Sequence, residues 1–455
     1  MPCSHIVASL RQSVWQVSHG HMDDQARRRE DIPSVSRVLP DGRIVEMVYT
    51  TENNMTRFAV CQEGSVSFHD AIDDAERRLV PLSPENNLLR HGAVLLSECP
   101  EPYGSVEELL NEIEAYLYRY VDLSKVFFRI ASSYILLTWV YDAFNELPYL
   151  RLRGDYGSGK TRALLILGSI SYKPFFASGA STVSPIFHTL DTFRGTLIFD
   201  EADFRFSDEK AELVKIFNNG NVRGFPVLRT AVTKAKEFDP RAFAVYGPKI
   251  VAMRREFADQ ALESRFITEE MGQRSLRADI PINLPEVQKE EAQILRNKLL
   301  QYRFDNLGKV NINEALVDQA LSPRLNQILV PLLSIIDDET RKREIREAAE
   351  VLERELRVEK SSSIEGELLE ILVALTAEKR KTSIPLSDIT RRFIEQHGID
   401  FVRPITNRYI GHVLRKRLRL HLYKSHGVYV LPLMETGKIH VLARRYGVIA
   451  KDADE

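Results

Sequence analysis

The chain has 455 residues, enough for two or three domains that each bury a core of their own. Its 44% hydrophobic and 28% charged content is that of an ordinary water-compatible chain, and the most apolar stretch, residues 126–141, is interrupted by Arg129 and too short to cross a bilayer. A formal net charge of −2 conceals an uneven distribution: between Lys379 and His426 twelve Lys or Arg stand against three acids, Asp388, Glu395 and Asp400, a footprint suited to a polyanion.

Cys3, Cys61 and Cys99 lie far apart, which argues against a disulfide framework or a zinc-ligand pair and for a reducing compartment. Residues 1–33 lack the continuous apolar core of a signal peptide. The expectation is a cytoplasmic protein without membrane contact.

Residues 1–40 are polar and poorly periodic, with a charge cluster at 27–31, and read as disordered or loosely attached. Residues 44–50, 57–60 and 65–69 are β-like runs separated by Asn- and Gly-bearing turns. Residues 105–145 read as helical, with Ser105 as cap and Glu107 and Glu108 in the first turn. The cluster Trp139, Tyr141 and Phe144 reads as core packing. Pro148 ends the helical stretch, and residues 149–153 form a short strand.

That strand runs into Gly154-Asp155-Tyr156-Gly157-Ser158-Gly159-Lys160-Thr161, which fits the phosphate-binding pattern G-x-x-x-x-G-K-[ST]. The glycines let backbone N–H groups curl around phosphate oxygens, and the helix expected over 161–171 presents its positive end to the anion. Lys160 is placed to reach the β- and γ-phosphates of ATP, and the Thr161 hydroxyl to coordinate magnesium. About forty residues on, Gly195-Thr196-Leu197-Ile198-Phe199-Asp200-Glu201 reads as a buried strand ending in two acids. Asp200 at the strand end is assigned to magnesium and Glu201 to general-base activation of the attacking water. From Tyr149 to about Ile280 apolar β-like runs alternate with helices, which predicts an α/β fold with a parallel sheet.

These residues resemble the AAA+ ATPases, and within them the MCM-like and superfamily-3-like replicative helicases of mobile genetic elements. The resemblance rests on residues 154–161, on Phe199-Asp200-Glu201-Ala202-Asp203 and on Ala261-Leu262-Glu263-Ser264-Arg265-Phe266. It implies that Arg265 is an arginine finger reaching a neighbouring subunit's nucleotide, and hence a homo-oligomeric ring such as a hexamer. It also implies a sensor-2 role at the γ-phosphate for Arg324, in Ser322-Pro323-Arg324-Leu325, where proline in the first turn supports a helix start at Ser322. The expected sensor-1 asparagine after the strand at 249–253 is absent, and Arg254 stands there instead. Residues 225–232 and 243–253 resemble the arms of the family's pore hairpin, with Lys234 and Lys236 near its tip as candidate DNA contacts.

Residues 284–334 return to helix, residues 337–360 form a highly charged helix, and Ser361-Ser362-Ser363 reads as a linker. Beyond it, helices are expected over 366–377, 386–397 and 406–418, then a two-strand ribbon over 420–424 and 427–431. Three helices and a ribbon are the order of a winged helix-turn-helix, whose third helix enters a DNA groove. Arg408, His412, Arg415 and Arg419 recur at helical spacing there as candidate DNA contacts.

The expected organisation is a small N-terminal region (1–104), a P-loop NTPase (AAA+) core (105–280), a helical lid and connector (281–360), and a C-terminal winged helix with a tail (361–455). The function expected is an ATP-dependent DNA motor, a replicative helicase of a mobile element or virus. The alternative is an ATP-switched DNA-binding initiator, loader or regulator that does not unwind.

Overall fold

A computed structural model describes residues 30–74, 77–200, 208–232, 238–257, 259–378, 382–397 and 404–449. The chain divides into two units, residues 1–47 with 56–83, and residues 48–55 with 84–455.

The strands of the N-terminal region are β1 (Glu30–Ser34), β2 (Ser36–Val38), β3 (Ile44–Thr50), β4 (Met55–Gln62), β5 (Ser65–His69), β6 (Ile72–Asp74) and β7 (Arg77–Pro81). They form a four-stranded sheet in the order β2-β3-β4-β5 and a three-stranded one in the order β1-β7-β6. Residues 30–38, read from sequence as loosely attached, are therefore strands. Their hydrophilic sequence hides this because β1 is stabilised by a partner far along the chain. It runs parallel to β7, setting Glu30 and Asp31 opposite Arg77 and Arg78, with Arg78 3.6 Å from Asp31.

The larger unit opens with α1 (Asn87–Arg90), α2 (Val106–Tyr120) and α3 (Lys125–Val140). Ser105 and Glu108 close a capping box at the start of α2. The single helical stretch expected from sequence is broken at Val121, and Ser124 caps α3 by accepting from Phe127 N. From Ile130 to Val140 every residue of α3 is buried, the pattern of a core helix rather than a surface one. Of its two strong charges, Lys125 is exposed at the first turn, and Arg129 is neutralised by Glu114 at 2.6 Å and Glu344 at 3.2 Å. Trp139, Tyr141 and Phe144 are buried in the core, as expected.

Next come β8 (Tyr149–Arg153), α4 (Lys160–Ser169), β9 (Phe175–Ser178), α5 (Val183–Phe193), β10 (Leu197–Asp200) and α6 (Asp208–Asn219). They are followed by β11 (Val227–Val232), β12 (Phe238–Phe243), β13 (Lys249–Met253), α7 (Gln260–Glu263) and β14 (Phe266–Glu270). Strands β8, β9, β10, β13 and β14 form one five-stranded parallel sheet in the order β14-β8-β13-β10-β9. The α/β parallel core is thus present. The strand carrying the glycine loop and the strand carrying the acid are not neighbours, because β13 lies between them. Strands β11 and β12 pair as a separate antiparallel hairpin. Its second arm ends at Phe243, shorter than the sequence suggested, because the fully buried Lys249–Met253 belongs to the central sheet.

The rest is α8 (Val287–Asn306), α9 (Pro323–Leu333), α10 (Glu339–Ser361), α11 (Ile364–Ala377), β15 (Ser383–Pro385), α12 (Leu386–His397), α13 (Asn407–His412), β16 (Tyr423–Ser425), β17 (Val428–Pro432) and α14 (Thr436–Arg445). Ser322 caps α9 with Pro323 in its first turn, as read from sequence. Helix α10 runs to Ser361 and Ser363 already caps α11, so the serine run is mostly helix end and helix cap, not spacer. In the C-terminal module the ribbon gains a third strand, in the order β15-β17-β16. The expected tail instead contributes α14, whose Ile439 and Ala443 complete the module's core with Leu368, Leu372, Phe393 and Leu431. No described helix is long and apolar enough to cross a membrane.

Candidate nucleotide site

In a parallel sheet ligands gather beyond the C-terminal ends of the strands. Here β8 delivers the glycine loop to that end and β10 delivers Asp200. Gly154 leaves no room for a side chain, since a β-carbon there would lie 2.6 Å from the Met271 carbonyl oxygen. Gly157 (φ 73°) and Gly159 (φ 87°) turn the loop through the left-handed region that disfavours every other residue. Gly159 is also the cap of α4, which starts at Lys160.

Lys160 Nζ donates to the carbonyls of Gly154 (2.7 Å) and Asp155 (2.6 Å) and to Ser158 Oγ (3.2 Å). An ammonium has three donors to place, and here the loop itself supplies three oxygens. The Thr161 hydroxyl donates to Asp200 Oδ2 at 2.8 Å. That contact unites the two halves of the motif, two hard oxygen donors of the kind magnesium prefers. Thr161 and Asp200 therefore fit the ion that the sequence implies. Glu201, the expected base, lies outside the described residues, as do Ala202, Asp203, Lys234 and Lys236.

A cavity of about 760 Å³ adjoins the loop. Its walls include the loop residues 154–159, Tyr120, Asp122, Arg254, Met271 and Ile280. Arg162, on the first turn of α4, donates to the carbonyls of Pro281 and Ile282, tying the far wall to the loop helix.

Arg265 and Arg324 do not line this cavity. Arg265 precedes β14 and its carbonyl accepts from Tyr149 N at 2.9 Å, so it stands at the opposite end of β8 from the loop. Burial lowers the proton affinity of Arg265, and the neighbouring charge of Arg324 lowers it further. Burial likewise lowers that of Arg324, opposed by Glu146. Arg265 donates to Asn218 Oδ1, while its Nε is buried with no hydrogen-bond partner. Two half-buried guanidinium groups, held together against their mutual repulsion, make a cationic spot at the edge of the sheet remote from the chain's own glycine loop.

On the C-terminal module Arg408, His412, Arg415 and Arg419 are all exposed. The third helix is shorter than the spacing suggested. It is α-helical only over Asn407–His412, capped by Thr406, and continues as a π-turn over Val413–Arg417. Arg419 lies beyond it at φ 53°. Arg415 stacks on Tyr429 of β17 with 5.2 Å to the ring centre, joining helix to ribbon.

Sequence reasoning missed Lys249. It is fully buried at the start of β13, its Nζ donating to the carbonyls of Gly220 (3.2 Å), Val245 (3.0 Å) and Gly247 (2.9 Å). These lie on either side of the β11–β12 excursion, so one side chain fastens both ends of the hairpin to the central sheet. A β-carbon on Gly220 would run into that amine, so the glycine is a signal only once Lys249 is placed.

No family model matches the chain and no curated protein matches it. Among solved structures it is similar to the NrS-1 C-terminal region in its apo form, at 11% identity over 85% of this chain and 96% of that one, with a TM-score of 0.36. It is similar to SCCmec type IV Cch, described as an active helicase, at 11% identity over 90% and 80% of the two chains, with a TM-score of 0.41. It is also similar to the Aeropyrum pernix ORC1 protein in complex with DNA, at 13% identity over 71% and 93%, with a TM-score of 0.21.

Proposed function

We propose that the chain is an AAA+ type P-loop ATPase that drives movement on DNA as a homo-oligomeric ring, a replicative helicase of the mobile-element kind. The observation that carries this reading is the Thr161–Asp200 hydrogen bond, which brings glycine loop and acid strand together at one end of a parallel sheet.

In this reading ATP binds with its phosphates along the amides of residues 154–161. Lys160 exchanges the loop oxygens that it now holds for β- and γ-phosphate oxygens. Thr161 and Asp200 would hold magnesium, which when bound would supply positive charge against the phosphates. Glu201 takes the proton of the attacking water. Arg265 and Arg324 act together on a second copy's γ-phosphate, since in their own subunit they face away from the loop. An anion between them would relieve both their repulsion and the unpaired Nε of Arg265.

Helices α8 to α10 serve as the lid and connector. The module from α11 to α14 has the element order of a winged helix, and Arg408, His412, Arg415 and Arg419 give it a basic face for DNA phosphates. The β11–β12 hairpin, with Lys234 and Lys236 beyond its described arms, is the element directed at DNA in the ring.

A fork-unwinding assay of the full chain beside Lys160→Ala tests the reading. ATP-dependent strand separation lost in Lys160→Ala supports it. ATP-dependent assembly on duplex DNA without separation would turn it toward an initiator or loader, and the absence of phosphate release under every condition would overturn it.

A further inference from the structure

Strand β14 is one margin of the five-stranded sheet, and among the described residues β8 is its only strand partner. The phase of that ladder is set at its two ends, where Tyr149 N donates to the Arg265 carbonyl and Met271 N to the Arg153 carbonyl. Bonded residues alternate along a parallel strand, so Ile267 and Glu269 turn their backbone groups to β8, and Phe266, Thr268 and Glu270 turn theirs outward. Among the described residues the outward amide and carbonyl of half-buried Thr268 meet no partner. Only its hydroxyl is engaged, accepting from Arg151 Nε at 3.0 Å.

This margin opens into a cavity of about 670 Å³ between the start of α3 and helices α9 and α10. The walls are chiefly apolar, with Phe127, Leu329 and Ile345 among them. Helix α10 turns Ala348 to the cavity, a side chain too small to fill it, and Val351 beside it is 48% exposed. Lys125 and the carboxylates of Glu269, Glu344 and Glu347 supply the charge of the lining. Glu269 is held by Arg274 and Glu344 by Arg129, each at 3.2 Å. Glu347 is 66% exposed and lies 3.9 Å from a similarly exposed Arg343, so it is the carboxylate most open to a newcomer.

An apolar cavity alone does not say what fills it, but one bordered by an unpaired strand edge does. A docked helix satisfies its own backbone and would leave the Thr268 amide and carbonyl shut away from water without partners. An extended segment satisfies both and sends every second side chain between the apolar walls. We propose that this cavity is a docking site for an extended segment of a partner protein, which adds to β14 as a sixth strand. The segment carries apolar side chains at alternate positions and a Lys or Arg beside Glu347. The site involves neither the glycine loop nor Asp200, so it stands apart from the nucleotide reading.

The test uses the full chain and a fluorescein-labelled synthetic peptide of alternating Val and Thr with Lys at each end. Saturable binding by fluorescence anisotropy is expected, together with slowed hydrogen exchange at the Thr268 amide. The same peptide N-methylated at every interior amide keeps its side chains, loses its donors and should bind about tenfold more weakly. Ala348→Trp, which fills the cavity, should weaken the unmethylated peptide about tenfold or more, and Glu347→Lys about threefold. If Ala348→Trp does not fold, exchange at Thr268 in the unmutated chain and the exposed Glu347→Lys decide without it. No binding, equal binding of the methylated peptide, or binding that leaves Thr268 exchange unchanged would overturn the proposal. So would self-association of the chain that Ala348→Trp abolishes and the peptide does not compete with, which would make a second copy the occupant.

Discussion

Thr161 and Asp200, separated by thirty-nine positions, share a 2.8 Å hydrogen bond because α4 begins beside the strand end that carries the acid. Replacing Asp200 by Asn keeps the shape and removes the charge. Turnover of ATP in Asp200→Asn should fall about a hundredfold or more, with the loss traced to magnesium by a shifted metal titration. Unchanged turnover and an unchanged metal midpoint would remove Asp200 from the site.

Arg265 and Arg324 are the next test. Arg265→Ala should lower ATP turnover about a thousandfold, in the range for removing an arginine that meets transition-state charge. Its melting temperature should stay within a few degrees, because burial and Arg324 already disfavour that charge. Mixed with Lys160→Ala protein, it should regain part of the lost activity, since one mixed interface then joins an intact loop to an intact arginine. No recovery across any mixing ratio would argue that sites are not shared.

Lys249 offers a stability test away from the nucleotide. Lys249→Met leaves three buried carbonyls without their donor and should cost about 3 kcal/mol in chemical denaturation. Burial holds the amine well below its ordinary proton affinity, so the unfolded chain binds the proton more readily than the folded one. The group's contribution is therefore greatest above the unfolded-state value of 10.5, and stability falls as pH drops below it until the folded-state value is passed. Comparing wild type with Lys249→Met across alkaline pH isolates that slope, and parallel curves would show the amine is not titrating as described.

The C-terminal module makes an ionic-strength prediction. Replacing Arg408, His412, Arg415 and Arg419 by Ala should weaken duplex binding nearly uniformly across sequences. The slope of log affinity against log salt should flatten by about one for each phosphate contact removed. A slope identical to wild type would mean the exposed face meets something other than phosphate.

What the sequence made legible was local. The glycine loop, the caps Ser105 and Ser322, and the strands at 149–153 and 197–200 each announce themselves within a few residues through turn chemistry or apolar runs. The expectations that needed revision depended on distant partners. Strand β1 is polar and is held by β7, and α14 closes a core begun at Leu368. Strand β13 was drawn toward the hairpin because an apolar run does not say which sheet it will enter. The neighbourhood of Arg265 and Arg324 is likewise tertiary, assembled from the start of β14 and the first turn of α9. The amphipathic count along α13 assumed an unbroken α-helix, and the π-turn over Val413–Arg417 changes the direction of the later side chains.

Strand β14 ends at Glu270, which pairs with Arg153, and the next residue, Met271, donates to the Arg153 carbonyl at 2.6 Å beside the chain's own cavity. It begins immediately after Arg265. A five-residue strand spans roughly 15 Å and is stiff along its axis. In a ring it would act as a pushrod with one end in each of two neighbouring combustion chambers, so that expansion or collapse around one nucleotide shifts the arginine presented to the next. Firing order around such a ring would then be written into the sheet itself, with no separate messenger between subunits.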